Sequence, residues 1–246
     1  MQIISYNSMF VLNTDTINEI NNFSVWIDIC NTSGSAILIN KSANWTSFDV
    51  VAKMRNITKI RKIGHCGTLD PFATGLLILC LGKGTKQIST FQNLPKQYNA
   101  TIKIGATTKS SDIEQPEENI CDISHIKNND IEDVINSFNG IIMQVPPMFS
   151  AKKIKGRKLY ELARKNIEIE LPAVEVNIHS IEISKIDLPS INVIIDCSKG
   201  TYIRALARDI GIKLGVGGYL TQLKRTKIGE HNTTNAFTID ELQSII

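Results

Sequence analysis

The chain has 246 residues, of which 42% are hydrophobic and 21% charged, a composition typical of a globular protein rather than a disordered one. Its longest aliphatic run, Leu76 to Leu81, is too short to span a bilayer. The first 27 residues contain no Lys or Arg, which argues against a secretory or organelle-targeting leader. We therefore expect a cytoplasmic protein with no membrane partner.

The cysteines and histidines are dispersed along the chain. The five cysteines form no Cys-x-x-Cys pair, and the four histidines form no His-Glu-x-x-His pair. These spacings favour reduced, mostly structural thiols and predict neither disulfides nor a metal site.

The net charge of +3 conceals an uneven distribution of basic residues. Residues 41–109, 152–165 and 199–227 together hold 25 of the 27 Lys and Arg residues but only 4 of the 24 Asp and Glu residues. A single run of charge is usually a solvated face, but three such blocks predict one positive surface assembled by the fold. A positive surface of that size favours a polyanionic partner, most commonly nucleic acid.

The first part of the chain, residues 1–35, lacks clear periodicity and is expected to be a loosely ordered extension. Within it, Met9–Leu12 and Val25–Cys30 could form short strands. Ala36–Lys41 then predicts a strand that ends in a turn.

A helix is predicted to begin after Thr46 or Ser47, either of which can act as its N-cap. Asp49 lies in its first turn, where an acidic side chain interacts favourably with the helix dipole. Apolar residues at helical spacing form one face, namely Val50, Val51, Met54 and Ile57.

Between this helix and the next strand lies the segment Gly64–Gly75, Gly-His-Cys-Gly-Thr-Leu-Asp-Pro-Phe-Ala-Thr-Gly. Pro71 fixes its own φ and disfavours helical dihedrals for Asp70. The apolar strand Leu76–Leu81 follows at once. Such a segment holds the Asp70 carboxylate at a fixed point, as a reactive group requires, although Asp-Pro pairs are also common in ordinary turns.

The remaining segments predict alternating strands and helices. Gly82–Lys86 lacks the glycine and lysine spacing of a phosphate-binding loop, so a nucleotide triphosphatase is excluded. In chain order the other predicted elements are a half-buried strand at Tyr98–Gly105, an acidic connection at 106–130, a helix at Ile131–Phe138, a basic helical segment at Lys152–Lys165, a possible hairpin of Val174–Ser180 with Ile181–Ile186, a strand at Ile191–Cys197, a helix with its core face from Ile203 to Leu214, and a strand at Leu223–Thr226.

Arg204 and Arg208 lie on another face of the helix that begins near Ile203. A pair of solvated arginines is the simpler interpretation of these two residues.

Several stretches within about residues 36–229 occur together in one known family. They are Gly64–Gly75, Cys197–Arg204, Ile39–Lys41 with Thr46–Val51, Phe149–Lys153 and Leu223–Thr226. In this combination and order they resemble the TruB family of tRNA pseudouridine synthases.

The resemblance implies isomerisation of uridine 55 in the T-loop of tRNA to pseudouridine, with no cofactor and no metal. It implies Asp70 as the catalytic aspartate, Tyr98 as the side chain that stacks on the target base, and Arg204 as the partner of the aspartate. The reaction breaks the N1–C1′ bond, rotates the base and joins C5 to C1′. A carboxylate can act in it as nucleophile, or as base at the sugar, only when ionised, and a nearby guanidinium favours that form.

The remaining site residues implied by the resemblance surround the substrate. His65, Tyr202 and Leu223 match positions that line the substrate pocket, and Lys41 matches a lysine near the site. For His65, an ordinary loop histidine and a group that helps to hold the loop open around a flipped base are equally good interpretations.

The resemblance also implies an α+β fold, a mixed and largely antiparallel sheet flanked by helices, known as the pseudouridine synthase fold. We expect an N-terminal extension at 1–35, a catalytic domain at 36–229 and a short tail at 230–246. The 17 residues after Gly229 are too few for the C-terminal RNA-binding domain called PUA that many members carry. The expected partner is the T-stem-loop of tRNA, bound by a monomer without guide RNA.

Two other functions are compatible with these features. The related RNA-guided synthase would require a guide RNA, and activity on naked tRNA would exclude it. A non-catalytic tRNA-binding or folding protein would need the basic surface but not Asp70.

Overall fold

A computed structural model describes residues 9–19, 23–149, 153–154, 157–158 and 169–245. The chain divides into two compact units. Unit 1 comprises residues 1–96 and 224–246, and unit 2 comprises residues 97–223.

The described helices and strands are numbered here in chain order. The α-helices are α1 (Phe23–Thr32), α2 (Ser47–Thr58), α3 (Ile88–Asn93), α4 (Asn128–Asn136), α5 (Ile203–Lys213) and α6 (Ile239–Ile245). The strands are β1 (Val11–Leu12), β2 (Ser35–Lys41), β3 (Ile63–His65), β4 (Thr74–Leu81), β5 (Lys96–Ile104), β6 (Gly140–Gln144), β7 (Lys153–Ile154), β8 (Arg157–Lys158), β9 (Val174–Asp187), β10 (Ser190–Cys197), β11 (Gly218–Ile228) and β12 (His231–Asn232). Short 3-10 helices lie at Thr16–Glu19, Gly82–Gln87 and Thr233–Asn235.

In unit 1 the strand order is β1-β2-β4-β11, and β3 and β12 pair with β4 and β11. β4 is antiparallel to β2 and β3, but parallel to β11 at Thr74 and Gly75. In unit 2 the order is β5-β10-β9-β6, and the first part of β11 lies beside β5. β6, β9 and β10 are joined by antiparallel pairs. The predicted α+β class with a mixed, largely antiparallel sheet is therefore confirmed.

The predicted helix after Ala36–Lys41 is confirmed as α2. Thr46 is its N-cap and forms a capping box with Asp49, because each side chain accepts a hydrogen bond from the other residue's backbone N–H. Val50, Val51 and Met54 are buried in the core of unit 1. β4 packs into unit 1 as the predicted apolar strand, with each of its residues from Leu76 to Leu81 fully buried.

The predicted strand at Val25–Cys30 is wrong, because this stretch lies inside α1. Trp26 and Cys30, four residues apart, are its buried side chains, which is the helical repeat. Trp26 donates a hydrogen bond from its indole nitrogen to Ser35 Oγ at 2.8 Å. The described parts of residues 1–35 therefore belong to the core of unit 1, while the predicted domain boundaries stay a prediction.

The predicted hairpin within 174–186 is also wrong, because β9 runs unbroken and pairs with β10. Ile178 and Ile181 are both buried although they are three residues apart, a spacing that breaks strict alternation. The register shifts where Cys197 pairs with Ile178 and Asp196 with Ser180. A β-bulge adds one residue to a strand without ending it, so the change of phase marks a bulge rather than a turn.

Among the other predictions for unit 2, three elements are confirmed and one segment is wrong where it is described. The strands at 98–105 and 191–197 and the helix from Ile203 are present as β5, β10 and α5. β6 was not predicted. The predicted helical segment Lys152–Lys165 is wrong where it is described, because β7 and β8 are an antiparallel pair of strands. Its other residues lie outside the described residues. Among the described helices, none is both long enough and apolar enough to cross a membrane.

Candidate active site

The loop between β3 and β4 carries Asp70, and α2 holds the residue before it. Ser47 Oγ accepts a hydrogen bond from Leu69 N at 2.9 Å and donates one to Leu69 O at 3.2 Å. Asp70 is half-buried, and its carbonyl accepts a hydrogen bond from Ala73 N at 3.1 Å. The start of α2 therefore fixes the backbone immediately before the carboxylate.

The residue after Asp70 is held from the other side by Lys41 and Asn44. Pro71 O accepts hydrogen bonds from Lys41 Nζ at 3.2 Å and from Asn44 N at 2.9 Å. Lys41 is buried, and its ammonium also donates to Ser42 O and Trp45 O. The predicted site lysine is thus a backbone anchor beside Asp70.

Arg225 on β11 was not predicted as a site residue, but it contacts the same loop. Its guanidinium donates to Gly67 O, Thr68 O and Leu76 O, and the side chain is buried. The sequence gives little indication of this contact, because a single arginine in a predicted strand is most simply interpreted as an exposed charged residue.

His65, at the end of β3, is half-buried in unit 1. Its Nδ1 is buried and has no hydrogen-bond partner among the described residues. Burial lowers the pKa of His65, and the Arg225 guanidinium lowers it further. The imidazole therefore favours its neutral form, in which one ring nitrogen is an acceptor and the other a donor.

The thiols next to the loop are packing groups. Cys66 and Cys80 are buried, with their sulfur atoms 3.3 Å apart. The hydrogen bond between Cys66 and Cys80 and burial both raise the pKa of the Cys66 thiol. A thiol that stays protonated is a poor nucleophile, so Cys66 is a packing group rather than a reactive one. No group of potential metal ligands occurs among the residues that the structure describes.

In unit 2, Arg204 lies in the first turn of α5 and is only 4% exposed. Its guanidinium donates to Asp112 Oδ2 at 3.1 Å, to Ser110 O at 3.1 Å and to Phe149 O at 2.7 Å. The interpretation of Arg204 as a solvated arginine is therefore wrong. Its implied partner was Asp70, which lies in the other unit, so that pairing stays a prediction. Asp112, a fully buried partner in unit 2, was missed.

Tyr202, which precedes α5, is held through its backbone by Gln144. Tyr202 N donates to Gln144 Oε1 at 2.9 Å, and Gln144 Nε2 donates to Tyr202 O at 3.2 Å. Gln144 is fully buried. Tyr98 on β5 and Leu223 on β11 are also buried in unit 2.

The predicted site residues fall into two groups. Unit 1 brings Lys41 to the Asp70 loop and places His65 at the strand that leads into it. Unit 2 holds the other four, Tyr98, Tyr202, Arg204 and Leu223. Their roles stay predictions.

Comparisons with known proteins identify the family. A family model described as TruB family pseudouridylate synthase (N terminal domain) matches residues 55–203, and one described as tRNA pseudouridylate synthase B C-terminal domain matches residues 204–246. The chain therefore belongs to the TruB family, and it is a pseudouridine synthase.

Two relatives are each named tRNA pseudouridine synthase B. The protein from Chlorobium chlorochromatii is 48% identical over 213 residues, covering 85% of this chain and 84% of its own. The protein from Parabacteroides distasonis is 45% identical over 221 residues, covering 87% of this chain and 94% of its own.

Solved structures support the fold. A chain of the archaeal box H/ACA sRNP Nop10–Cbf5 complex superposes with a TM-score of 0.65 at 24% identity, over 89% of this chain. A chain of a Cbf5–Nop10–Gar1 complex gives a TM-score of 0.65 at 26% identity, over 87%. This chain spans 55% and 56% of the length of those two chains. The predicted pseudouridine synthase fold is confirmed.

We predict that Asp112→Asn lowers the free energy of unfolding by roughly 3–5 kcal/mol, because it removes the charge that compensates the buried guanidinium of Arg204. Denaturant unfolding of the purified variant measures the change. Asp187→Asn is the control, since Asp187 forms an exposed pair with Lys185 and its loss should leave stability unchanged. Equal stability of the Asp112→Asn variant and the wild type would contradict a structural role for the pair.

We also predict that His65 titrates below the ordinary histidine value of about 6.5. Because its folded pKa is lowered, the unfolded chain binds the proton more readily, so this group's contribution to stability is lost as pH falls through the folded pKa. A histidine NMR titration measures the pKa directly. His65→Gln should make stability less dependent on pH below about 6.5, and an unchanged dependence would contradict the assignment.

Proposed function

We propose that this enzyme converts uridine 55 in the T-loop of tRNA to pseudouridine, with Asp70 as the catalytic carboxylate. The relatives named tRNA pseudouridine synthase B support tRNA as the substrate. We further propose that the chain acts in the cytoplasm as a monomer, on tRNA alone and without guide RNA.

The observation that carries the proposal is the backbone around Asp70. Leu69 is held by Ser47, and Pro71 is held by Lys41 and Asn44. These contacts leave the half-buried Asp70 side chain between two fixed peptide units. A carboxylate needed only for a turn would not require both neighbours to be anchored, whereas a reacting carboxylate must keep its position.

The chemistry proposed for Asp70 is an isomerisation, so no atom of the uridine is lost. The N1–C1′ bond breaks, the base rotates, C5 bonds to C1′, and the proton released from C5 is replaced by one taken up at N1. Asp70 acts in its ionised form, as nucleophile or as base. Arg204 is proposed to orient it, with Asp112 holding the guanidinium.

Four residues are proposed to receive the base. Tyr98 would stack on uridine, because an extruded base needs an aromatic or apolar face to replace its lost neighbours. Tyr202 and Leu223 would complete the pocket. Nδ1 of His65 has no hydrogen-bond partner among the described residues, and this supports a polar contact with substrate, since a buried polar atom without a partner requires an explanation.

Unit 1 also offers a basic surface for RNA near α2. Lys59 and Lys62 are exposed, and Gly82 N donates to Lys62 O, which brings the exposed Lys83 segment beside them. Phe48 on α2 is 64% exposed, with the Arg55 guanidinium 5.8 Å from its ring centre. Exposed lysines suit a nucleic acid backbone, and an exposed aromatic ring suits its bases.

We predict that Asp70→Asn lowers the rate of pseudouridine formation in a T-stem-loop RNA by about 10⁴-fold or more, because the reacting group itself is removed. RNA binding by the variant should stay close to wild type. The rate is measured by quantifying pseudouridine in RNA digests over time, and binding by fluorescence anisotropy.

Asp28→Asn is the matched control, because Asp28 is an exposed aspartate on α1, in the same unit. It should retain the wild-type rate. Appreciable conversion by Asp70→Asn would exclude Asp70 as the catalytic group. Binding by the wild type with no conversion would instead favour a non-catalytic tRNA-binding protein, and conversion that requires added guide RNA would favour an RNA-guided synthase.

We also predict that replacing Lys59 and Lys62 by Asn weakens RNA binding and makes it less sensitive to salt. Each lost phosphate contact should reduce the slope of log affinity against log salt by roughly 0.7–0.9. Asn suits the left-handed backbone at Lys59, where φ is 59°. Lys185→Asn, at an exposed lysine of unit 2, is the control and should leave the slope unchanged; equal slopes for all proteins would contradict this surface.

A further inference from the structure

Arg225 is a basic residue that the proposed reaction does not use directly. It lies on β11 within unit 1 and is only 2% exposed. Among the described residues no carboxylate pairs with it, so its charge is compensated by backbone carbonyls instead. Because a buried cation is costly without such partners, this arrangement ties the arginine to the groups it contacts.

The three carbonyls that Arg225 contacts lie on both sides of Asp70. Nη2 donates to Gly67 O at 3.1 Å and Nη1 to Thr68 O at 3.4 Å, before Asp70 in the chain. Nε donates to Leu76 O at 2.7 Å, after it. A guanidinium is planar and rigid, so one side chain fixes the distance between the two ends of the Asp70 loop.

The backbone of Arg225 holds the same loop. β11 pairs in parallel with β4, with Arg225 opposite Gly75 and Lys224 opposite Thr74. Gly75 has φ of 100°, and a Cβ atom placed there would lie 2.3 Å from Arg225 O. Gly75 therefore allows the close approach that brings the guanidinium under the loop.

Arg225 is too deeply buried to contact a phosphate of RNA. Its neighbour Lys224 is exposed on the same strand and carries the same charge. Substitutions of Arg225 and Lys224 can therefore distinguish the effect of losing a positive charge from the effect of losing contacts with the loop.

We infer that Arg225 is a positioning residue for the Asp70 carboxylate: its guanidinium sets the separation of the two ends of the loop and so the place of Asp70 relative to the bound uridine. This inference rests on the proposed function of Asp70. Ser47, Lys41 and Asn44 hold the loop near Asp70, whereas Arg225 holds its two ends. A shift of about 1 Å in a reacting group is enough to lower a rate by about 10²-fold.

The test compares Arg225→Met, Arg225→Lys and the control Lys224→Met in single-turnover and steady-state assays on T-stem-loop RNA. Arg225→Met should lower kcat by about 10²-fold and leave KM within about twofold of wild type. Arg225→Lys should lower kcat by about tenfold, because one ammonium cannot replace the planar fork on all three carbonyls. Lys224→Met should keep the wild-type kcat, because it removes a positive charge from an exposed position on the same strand.

A second readout separates positioning from a general loss of structure. The histidine NMR titration should show a higher pKa for His65 in Arg225→Met than in wild type, because the nearby positive charge is gone, and little change in Arg225→Lys. The His231 signal, elsewhere in unit 1, reports whether the fold is kept. If Arg225→Met does not fold, Arg225→Lys carries the test.

Two outcomes would overturn the inference: a wild-type kcat in folded Arg225→Met or Arg225→Lys, or a rise in KM alone. Both would leave the proposed function intact if the wild type forms pseudouridine. Failure of the wild type to form pseudouridine would instead contradict the proposed function itself.

Discussion

Hydrogen bonds from buried cations to backbone carbonyls hold the loop on which the site depends. Lys41 bonds to Pro71 O, and Arg225 bonds to carbonyls at both ends of the loop. Loop carbonyls have no partner in a sheet ladder and need one when buried, and a buried cation needs acceptors. The same hydrogen bonds supply donors to the buried carbonyls and acceptors to the buried cations. They therefore hold the loop and its cations in one arrangement.

This constraint divides the basic residues into two populations. Lys41, Lys96, Arg204 and Arg225 are buried and bonded to backbone carbonyls. They belong to the basic blocks of the sequence but do not add to a positive surface. The charge of unit 1 that we propose to face RNA instead comes from exposed side chains around the end of α2, such as Lys59 and Lys62. Charge segregation in the sequence indicated the right class of partner, although part of that charge serves the fold.

Local signals predicted local structure well. Two features could be predicted because each depends on residues close in sequence. They are the capping box of Thr46 and Asp49 and the apolar run of β4. The strand predicted within α1 was wrong because a short apolar run such as Val25–Cys30, in which Asp28 is the one polar residue, fits a strand as well as a helix. In β9 a bulge was taken for a turn, since both interrupt the alternation.

The site was predictable only in part. Asp70 stood out through Pro71 and the surrounding glycines, and the family resemblance supplied its implied partners. Asp112 was not predicted, because it meets Arg204 across 92 positions of the chain and no pattern links them. Arg225 meets Thr68 across 157 positions, and only the packing of β11 against β4 turns its side chain towards the loop. Tertiary contacts of this range cannot be read from one sequence.

The most direct test of the account is base-resolved pseudouridine mapping of a full tRNA transcript after incubation with the purified chain and no other component. The account predicts a single new pseudouridine at position 55, formed by the wild type and absent with Asp70→Asn. Modification at a different uridine would contradict the assigned substrate position. Absence of any new pseudouridine would contradict the proposed catalytic role of the Asp70 loop.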